Sequence, residues 1–398
     1  MQHNRFGVAS RFGVISLLVL ITSAASAQGS ADTPAKTLGT FPICEPSAAR
    51  LVPCGAGSGG TRCVVVADNE ISDKLFLFTI DKDGVLKDPK QLPLGLTSPE
   101  VKKIDDIEAL EIGPDGVLVF GSHSRKSFKP EEAKHCQRDG GRLTFAQLQL
   151  QDGVLRGPAV KTDTQMWQKT LTAAGCSTRL IAIPSGERGQ TLAQKACEAI
   201  ADADTRAETD PAACSRAFNI EGVVSLPGFD GSAPRIWIGL RAPLVDGKAV
   251  LLRLHDLTHL EFDGIAMLAI EGFGVRDLAY ARGSLWVLAG PMADELVPGS
   301  VWSVPASAVA SGAELVGHRE TSIGELPAFA EGLAIDELNG DAFIVVDGDA
   351  GKRSIASPVC TTAALQLLRH LPAAAAPTEA PMPVAPHPSA FDPATPSK

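Results

Sequence analysis

Apolar and polar positions along this chain fall into short runs that return in pairs. A first run opens on a phrase of one apolar residue, one acidic residue, one small residue and another apolar residue. It reads IEAL at 107–110, IEGV at 220–223, VRDL at 275–278 and AEGL at 330–333, with a looser CEPS at 44–47 ahead of them. A second run follows each phrase: CVVVADNE at 63–70, VLVFGSHSR at 117–125, IWIGLRAP at 236–243, LWVLAGP at 285–291 and FIVVDGD at 343–349. These runs are four or five apolar residues long and break at Gly, Asp, Asn or Arg, the mark of short strands rather than helices. GPDG at 113–116 reads as the hairpin between two of them, and RLTFAQLQL at 142–150 alternates like a half-buried strand.

The acidic phrase recurs after 113 residues (108 to 221), 56 (221 to 277) and 54 (277 to 331), with 63 between Glu45 and Glu108. A unit of several short strands repeated at about this length predicts an all-β fold, a β-propeller of five or six blades. A sixth unit has room to hide in the longest gap. A β-sandwich is the alternative, but its strands need not repeat a phrase. Residues 160–217 break the pattern. QMWQKTLTAAG and TLAQKACEAIADADTRAE are rich in Ala, Gln and Glu, and they predict a helical insertion at 160–217.

The ends differ from the middle. Arg5 and Arg11 precede VISLLVLI at 14–21, and small residues then end in Ala25-Ser26-Ala27. This is the pattern of a secretory signal peptide over 1–27, too short to span a bilayer. Residues 28–39 read as a linker, 40–370 as a single propeller domain, and the Ala- and Pro-rich 371–398 as a disordered tail. The expected location is periplasmic or secreted, with no membrane span after signal cleavage.

Charge narrows the partners. The net charge is −10, and removing the leader with its two Arg takes it to −12. No basic run exists, so a nucleic-acid partner is not expected. Eight Cys in an oxidising compartment predict disulfides, and no C-x-x-C pair suggests zinc. Local spacing pairs Cys54 with Cys63 and Cys197 with Cys214. Cys44 with Cys360 would clasp first blade to last, leaving Cys136 with Cys176.

Motifs of hydrolytic or nucleotide chemistry are missing: no G-x-S-x-G, no H-E-x-x-H and no Walker loop. Asp81, Asp83 and Gly84 begin like a calcium loop, but its twelfth position is Leu92, which fails the EF-hand. His123, between Ser122 and Ser124, is better read as a polar strand end than as a base, since neighbouring residues on a strand face opposite ways. Trp237 and Trp286 occupy equivalent places in two second runs, which suits packing between blades.

The phrases NIEGVVSL at 219–226, IWIGLRAPLVDGKAVLLRL at 236–254, GVRDLAYARGSLWVLAGP at 274–291 and FAEGLAID at 329–336 resemble the bacterial DUF3616 family, a domain of unknown function. So do CEPSA at 44–48, VADNE at 66–70 and GSHSR at 121–125. The resemblance implies a β-propeller similar to esterase-like phytase propellers, and it supplies no reaction. The Cys-rich first repeat and the 160–217 insertion depart from it.

The repeated acids are the candidate site. In a propeller the innermost strand of each blade lines the axis, so Glu108, Glu221, Asp277 and Glu331 are expected around one channel, with Glu45 completing the ring and Asp105 and Asp106 beside it. Carboxylates so gathered must share protons, pair with Arg or hold a cation. Arg125, Arg241 and Arg276 lie at strand ends that could reach the same mouth. Calcium is the cation such a ring could hold, although no cofactor is legible in any motif. The structural alternative is that each acid accepts backbone N–H bonds from the next blade and ties the ring together. Two functions follow: a module binding a small-molecule or protein ligand, or, by analogy with phytase-like propellers, a hydrolase of phosphate esters.

Overall fold

The computed structural model describes residues 36–37, 43, 45–54, 62–81, 86–113, 116–125, 136–162 except 138, 186–257, 261–347 except 294, 313, 324, 325 and 339, and 364–368. The signal peptide, the 371–398 tail, Cys44, Cys176, Cys360 and the Asp83–Gly84 turn lie outside these residues.

The paired runs form four-stranded antiparallel blades. The first is β2 (Pro46–Pro53), β3 (Arg62–Asp68), β4 (Lys74–Ile80) and β5 (Leu86–Leu96). The second is β6 (Ile107–Gly113), β7 (Gly116–Gly121), β8 (Thr144–Gln151) and β9 (Val154–Gly157), with β10 (Ala159–Lys161) also paired to β8. The third is β11 (Asn219–Leu226), β12 (Arg235–Ala242), β13 (Ala249–Asp256) and β14 (Glu261–Ala269). The fourth is β15 (Gly274–Ala281), β16 (Ser284–Gly290), β17 (Ser300–Pro305) and β19 (His318–Arg319), while β18 (Glu314–Val316) crosses to run parallel to β14. The fifth is β20 (Ala330–Ile335), β21 (Ala342–Val346) and β22 (Ala364–Leu368), closed on its outer edge by β1 (Lys36–Thr37). Part of the segment expected to be linker is therefore a strand. It comes from the start of the chain and pairs with the last strand, covering an edge that would otherwise be open.

The innermost strands close a ring: β2 lies against β6 and β20, β11 against β6 and β15, and β15 against β20. Five blades complete it. Among the described residues, the long gap between Glu108 and Glu221 holds no sixth blade. It is filled by the loop between β7 and β8 and by the insertion, whose helix α1 spans Gly186–Thr209. Both leave from the end of the second blade at which β6 begins, because β7 ends there and β8 starts there.

Apolar side chains between blades supply the adhesion. Trp237 packs with Val275, Leu278, Leu285 and Trp302 between the third and fourth blades. Trp286 packs with Leu333 and Ile344 between the fourth and fifth, and its indole N–H donates to the Ala281 carbonyl at 3.1 Å. Burying side chains of this size stabilises by about 1.5–3 kcal/mol each. No described helix is long and apolar enough to cross a membrane.

Close approach near the axis demands small residues. A Cβ on Gly332 would lie 2.4 Å from Val345 Cγ2 and 2.9 Å from the backbone of both Ala48 and Ala49 in the neighbouring blade. Gly332→Ala is expected to lower stability by about 1–3 kcal/mol, because backbone on one side cannot move aside. Thermal unfolding checks this; an unchanged midpoint would mean that the ring tolerates a wider spacing there.

Candidate functional site

Every innermost strand carries a β-bulge at the same place. The pairing skips Ser47 between Pro46 and Ala48, Glu108 between Ile107 and Ala109, and Glu221 between Ile220 and Gly222. It skips Arg276 between Val275 and Asp277, and Glu331 between Ala330 and Gly332. A bulge adds an unpaired residue and re-aims its side chain. The repeated phrase is thus apolar, bulge, small, apolar, with the bulge at its second position. Two expectations change. The fourth repeat contributes Arg276 to this level, and Asp277 stands one residue deeper. The first contributes Ser47, whose hydroxyl donates to the Ile107 carbonyl. Glu45 precedes the strand, and its backbone meets Asp68 and Asn69.

Below the bulges one arginine ties all five blades. Arg50, on β2, donates from both terminal nitrogens to the Asp277 carboxylate at 2.9 Å each, and from Nε to Glu111 at 3.1 Å. It also donates to the carbonyls of Val223 at 2.8 Å and Leu333 at 3.1 Å. Those partners come from the fourth, second, third and fifth blades. Asp277 accepts in addition from the backbone N–H groups of Leu278 and, in the next blade, Leu333, while Glu111 accepts from Ser225 N–H in the third blade. Asp277 therefore plays the tying role, accepting from the adjacent blade. Burial works against the Arg50 charge, but Asp277 and Glu111 outweigh it and hold the guanidinium above its ordinary range. Burial likewise pushes the Asp277 and Glu111 carboxyls up, against the pull of Arg50. Neither Arg50 nor Glu111 stood out in the sequence. The available signal was a lone Arg inside an apolar innermost strand and a Glu three residues after Glu108.

At the bulge level Arg276 stands between two carboxylates, Glu221 and Glu331. Arg276 donates to both oxygens of Glu331 at 2.7 Å and to Glu221 at 3.3 Å. Arg241, itself skipped in the β11–β12 pairing, donates to Glu221 at 2.8 Å and to the Pro291 carbonyl at 3.2 Å. Asn219 donates its amide N–H to Glu221 at 2.8 Å, and Asn69 reaches Glu108 at 3.5 Å. Arginine guanidiniums stand against Glu221 and Glu331. Among the described residues no three His, Cys, Asp or Glu gather into a metal-binding group, so the expected calcium ring has no counterpart there.

The remaining candidates lie elsewhere. Arg125 is not at the mouth: it grips Asp204 of α1 through two bonds of 3.0 and 2.8 Å, reaches Glu208 at 3.1 Å and donates to the Cys136 carbonyl. Asp105 pairs with Lys103 at 2.8 Å, and Asp106 with Arg142 at 3.1 Å. Ser122 and Ser124 hydroxyls bond each other at 2.8 Å, while the His123 ring turns to the Gly121 carbonyl at 2.8 Å. This arrangement presents no Ser–His relay.

The model of the family described as "Protein of unknown function (DUF3616)" matches residues 66–357. The chain belongs to the DUF3616 family. No curated protein matches it. Among solved structures, the exo-β-1,3-galactanase of Phanerochaete chrysosporium aligns over 83% of this chain at 8% identity and TM-score 0.41, and the DUF3616 chain spans 64% of that enzyme's length. An α-L-arabinofuranosidase from Clostridium thermocellum aligns over 81% of this chain and 88% of that one, at 6% identity and TM-score 0.39. The Dos1 propeller aligns over 85% and 75%, at 10% and 0.30. Likenesses this distant carry no chemistry; the propeller rests on its own ladders and closed ring.

Two disulfides join described residues of this DUF3616 propeller. Cys54–Cys63 closes the first hairpin as expected. Cys136 bonds Cys214 instead of Cys176, so the expected Cys197–Cys214 pair does not form. Cys197 is disulfide-bonded, to a residue outside the described set. The β7–β8 loop and the end of the insertion both return to the mouth end of the second blade, which brings residues 78 apart in sequence together.

Proposed function

We propose that this chain is an exported binding module, periplasmic or secreted, whose bulged mouth receives a small ligand. The observation that carries the reading is the bulge ring itself. Five bulges place Ser47, Glu108, Glu221, Arg276 and Glu331 at the same level of the five innermost strands. Bulges at one shared position in five strands add no ladder hydrogen bonds; they re-aim side chains. The two long excursions of the second blade open at that same end, where binding segments of rigid scaffolds commonly sit.

The charges favour binding over catalysis. Glu221 and Glu331 are both engaged by guanidinium groups, Glu221 by Arg241 and Arg276 and Glu331 by Arg276. Arg241 and Arg276 are likewise engaged, so a phosphate would have to displace a carboxylate to gain a bidentate clamp. The phosphate-ester reading therefore loses its main support.

Purified protein screened by thermal shift against neutral, cationic and anionic small molecules is expected to show a ligand-induced rise in midpoint, with no turnover of p-nitrophenyl phosphate. Turnover that disappears in Arg276→Met would replace the binding module with a phosphoesterase.

A further inference from the structure

Two side chains at the mouth hold an unused acceptor. Asn219 and Asn69 each turn their amide N–H toward a bulge carboxylate, Glu221 and Glu108 respectively. Each leaves its amide oxygen buried with no hydrogen-bond partner among the described residues. Asn219 is only 9% exposed. Turning either amide over would set its oxygen against a carboxylate, so the orientation follows from the network. A buried acceptor left without a donor costs about 1–3 kcal/mol, and native proteins keep few of them. Two such oxygens beside consecutive bulge residues, in neighbouring positions of one ring, are acceptors waiting for donors.

The ring around them selects the ligand by charge. Arg241 and Arg276 repel a cation approaching Glu221 and Glu331, while Glu108, Glu221 and Glu331 repel an anion. A hydroxyl group both donates and accepts, so it can donate to a buried amide oxygen and still meet both signs of charge beside it. Resting on the reading of the mouth as a ligand site, we infer that it takes a neutral, polyhydroxylated small molecule. Hydroxyls of that molecule donate to Asn219 Oδ1 and Asn69 Oδ1.

Isothermal titration calorimetry tests this with D-glucose, D-galactose, D-xylose, L-arabinose and myo-inositol, beside spermidine as cation and inorganic phosphate as anion. The parent and the separate variants Asn219→Leu and Asn69→Leu are titrated alike. Leu keeps the size of Asn and removes the acceptor. At least one neutral polyol is expected to bind, with affinity at least ~10-fold weaker in each variant. The inference is overturned if no neutral polyol binds the parent, or if both variants bind it as the parent does. Spermidine or phosphate binding in place of polyols, weakened by the same variants, would overturn this ligand class and leave the mouth as a ligand site. Phosphate-ester turnover with no binding of any probe would remove both.

Discussion

Arg50→Met is expected to cost about 3–5 kcal/mol, the range for breaking a buried, hydrogen-bonded ion pair from one side. Asp277 is 0% exposed and would keep only the backbone N–H groups of Leu278 and Leu333. Glu111 would keep only Ser225 N–H, and the Val223 and Leu333 carbonyls would each lose a donor. In a domain of this size that cost corresponds to a midpoint lower by about 4–7 °C, read by calorimetry. Adding Asp277→Asn should recover part of the loss, because it removes the stranded charge while retaining an oxygen for the two N–H groups. If the double variant is no better than the single, the axis is held by packing rather than by charge.

The pH dependence of that variant follows from the same network. Burial already pushes the Asp277 carboxyl up with Arg50 in place. Without Arg50 the upward shift grows. The folded variant then binds a proton that the unfolded chain has released, so its stability falls as pH rises through the folded-state value. The deficit of Arg50→Met against the parent should therefore widen as pH rises above the ordinary carboxylate range. A constant deficit would mean that Asp277 finds another cation.

The phrase that exposed the propeller in the sequence was visible because the ring imposes two demands at once. The bulge position must be polar, since it faces the mouth, and the next must be small, since the adjacent blade's backbone lies against it. Ala48, Ala109, Gly222 and Gly332 obey the second demand. Asp277 is the exception, and its side chain is the one that meets Arg50. The reading by charge put Asp277 in register with Glu221, because a bulge brings two adjacent polar residues inward and alternation cannot say which is extra. It took Glu45 instead of Ser47 for a related reason: the strand begins at Pro46, and a serine carries no charge to mark it. Arg50 was hidden because its partners come from four other blades, and a contact that depends on ring closure leaves no local pattern. The disulfides divide the same way. Cys54–Cys63 spans one hairpin and was legible, while Cys136–Cys214 depends on two excursions meeting above the second blade.

The Arg125 clamp gives the second large effect, and it should be local where that of Arg50 is global. Burial works against the Arg125 charge, and Asp204 with Glu208 outweighs it, raising the guanidinium above its ordinary value. The Arg125 and Asp204 side chains are 6% and 8% exposed, whereas Glu208 is 51% exposed and contributes little. Arg125→Met leaves Asp204 buried against an apolar chain, again about 3–5 kcal/mol. Among the described residues the helix is also held by Ala193, Ala196 and Ile200 against the Phe120, Phe145 and Phe218 cluster, by Ala207 against Cys136 and Cys214, and by the exposed Lys195–Asp246 pair, and Cys197 adds a disulfide. Lifting α1 leaves the blade ladders untouched, so the penalty is relieved by local opening and not by unfolding the ring. Hydrogen exchange across 193–209 should therefore accelerate by about a hundredfold or more, while the innermost strands keep their protection and Cys136–Cys214 tethers the end of the insertion. Equal acceleration in β6 and β11 would show that the insertion and the propeller open as one unit, and that Arg125 is part of the ring's own stability.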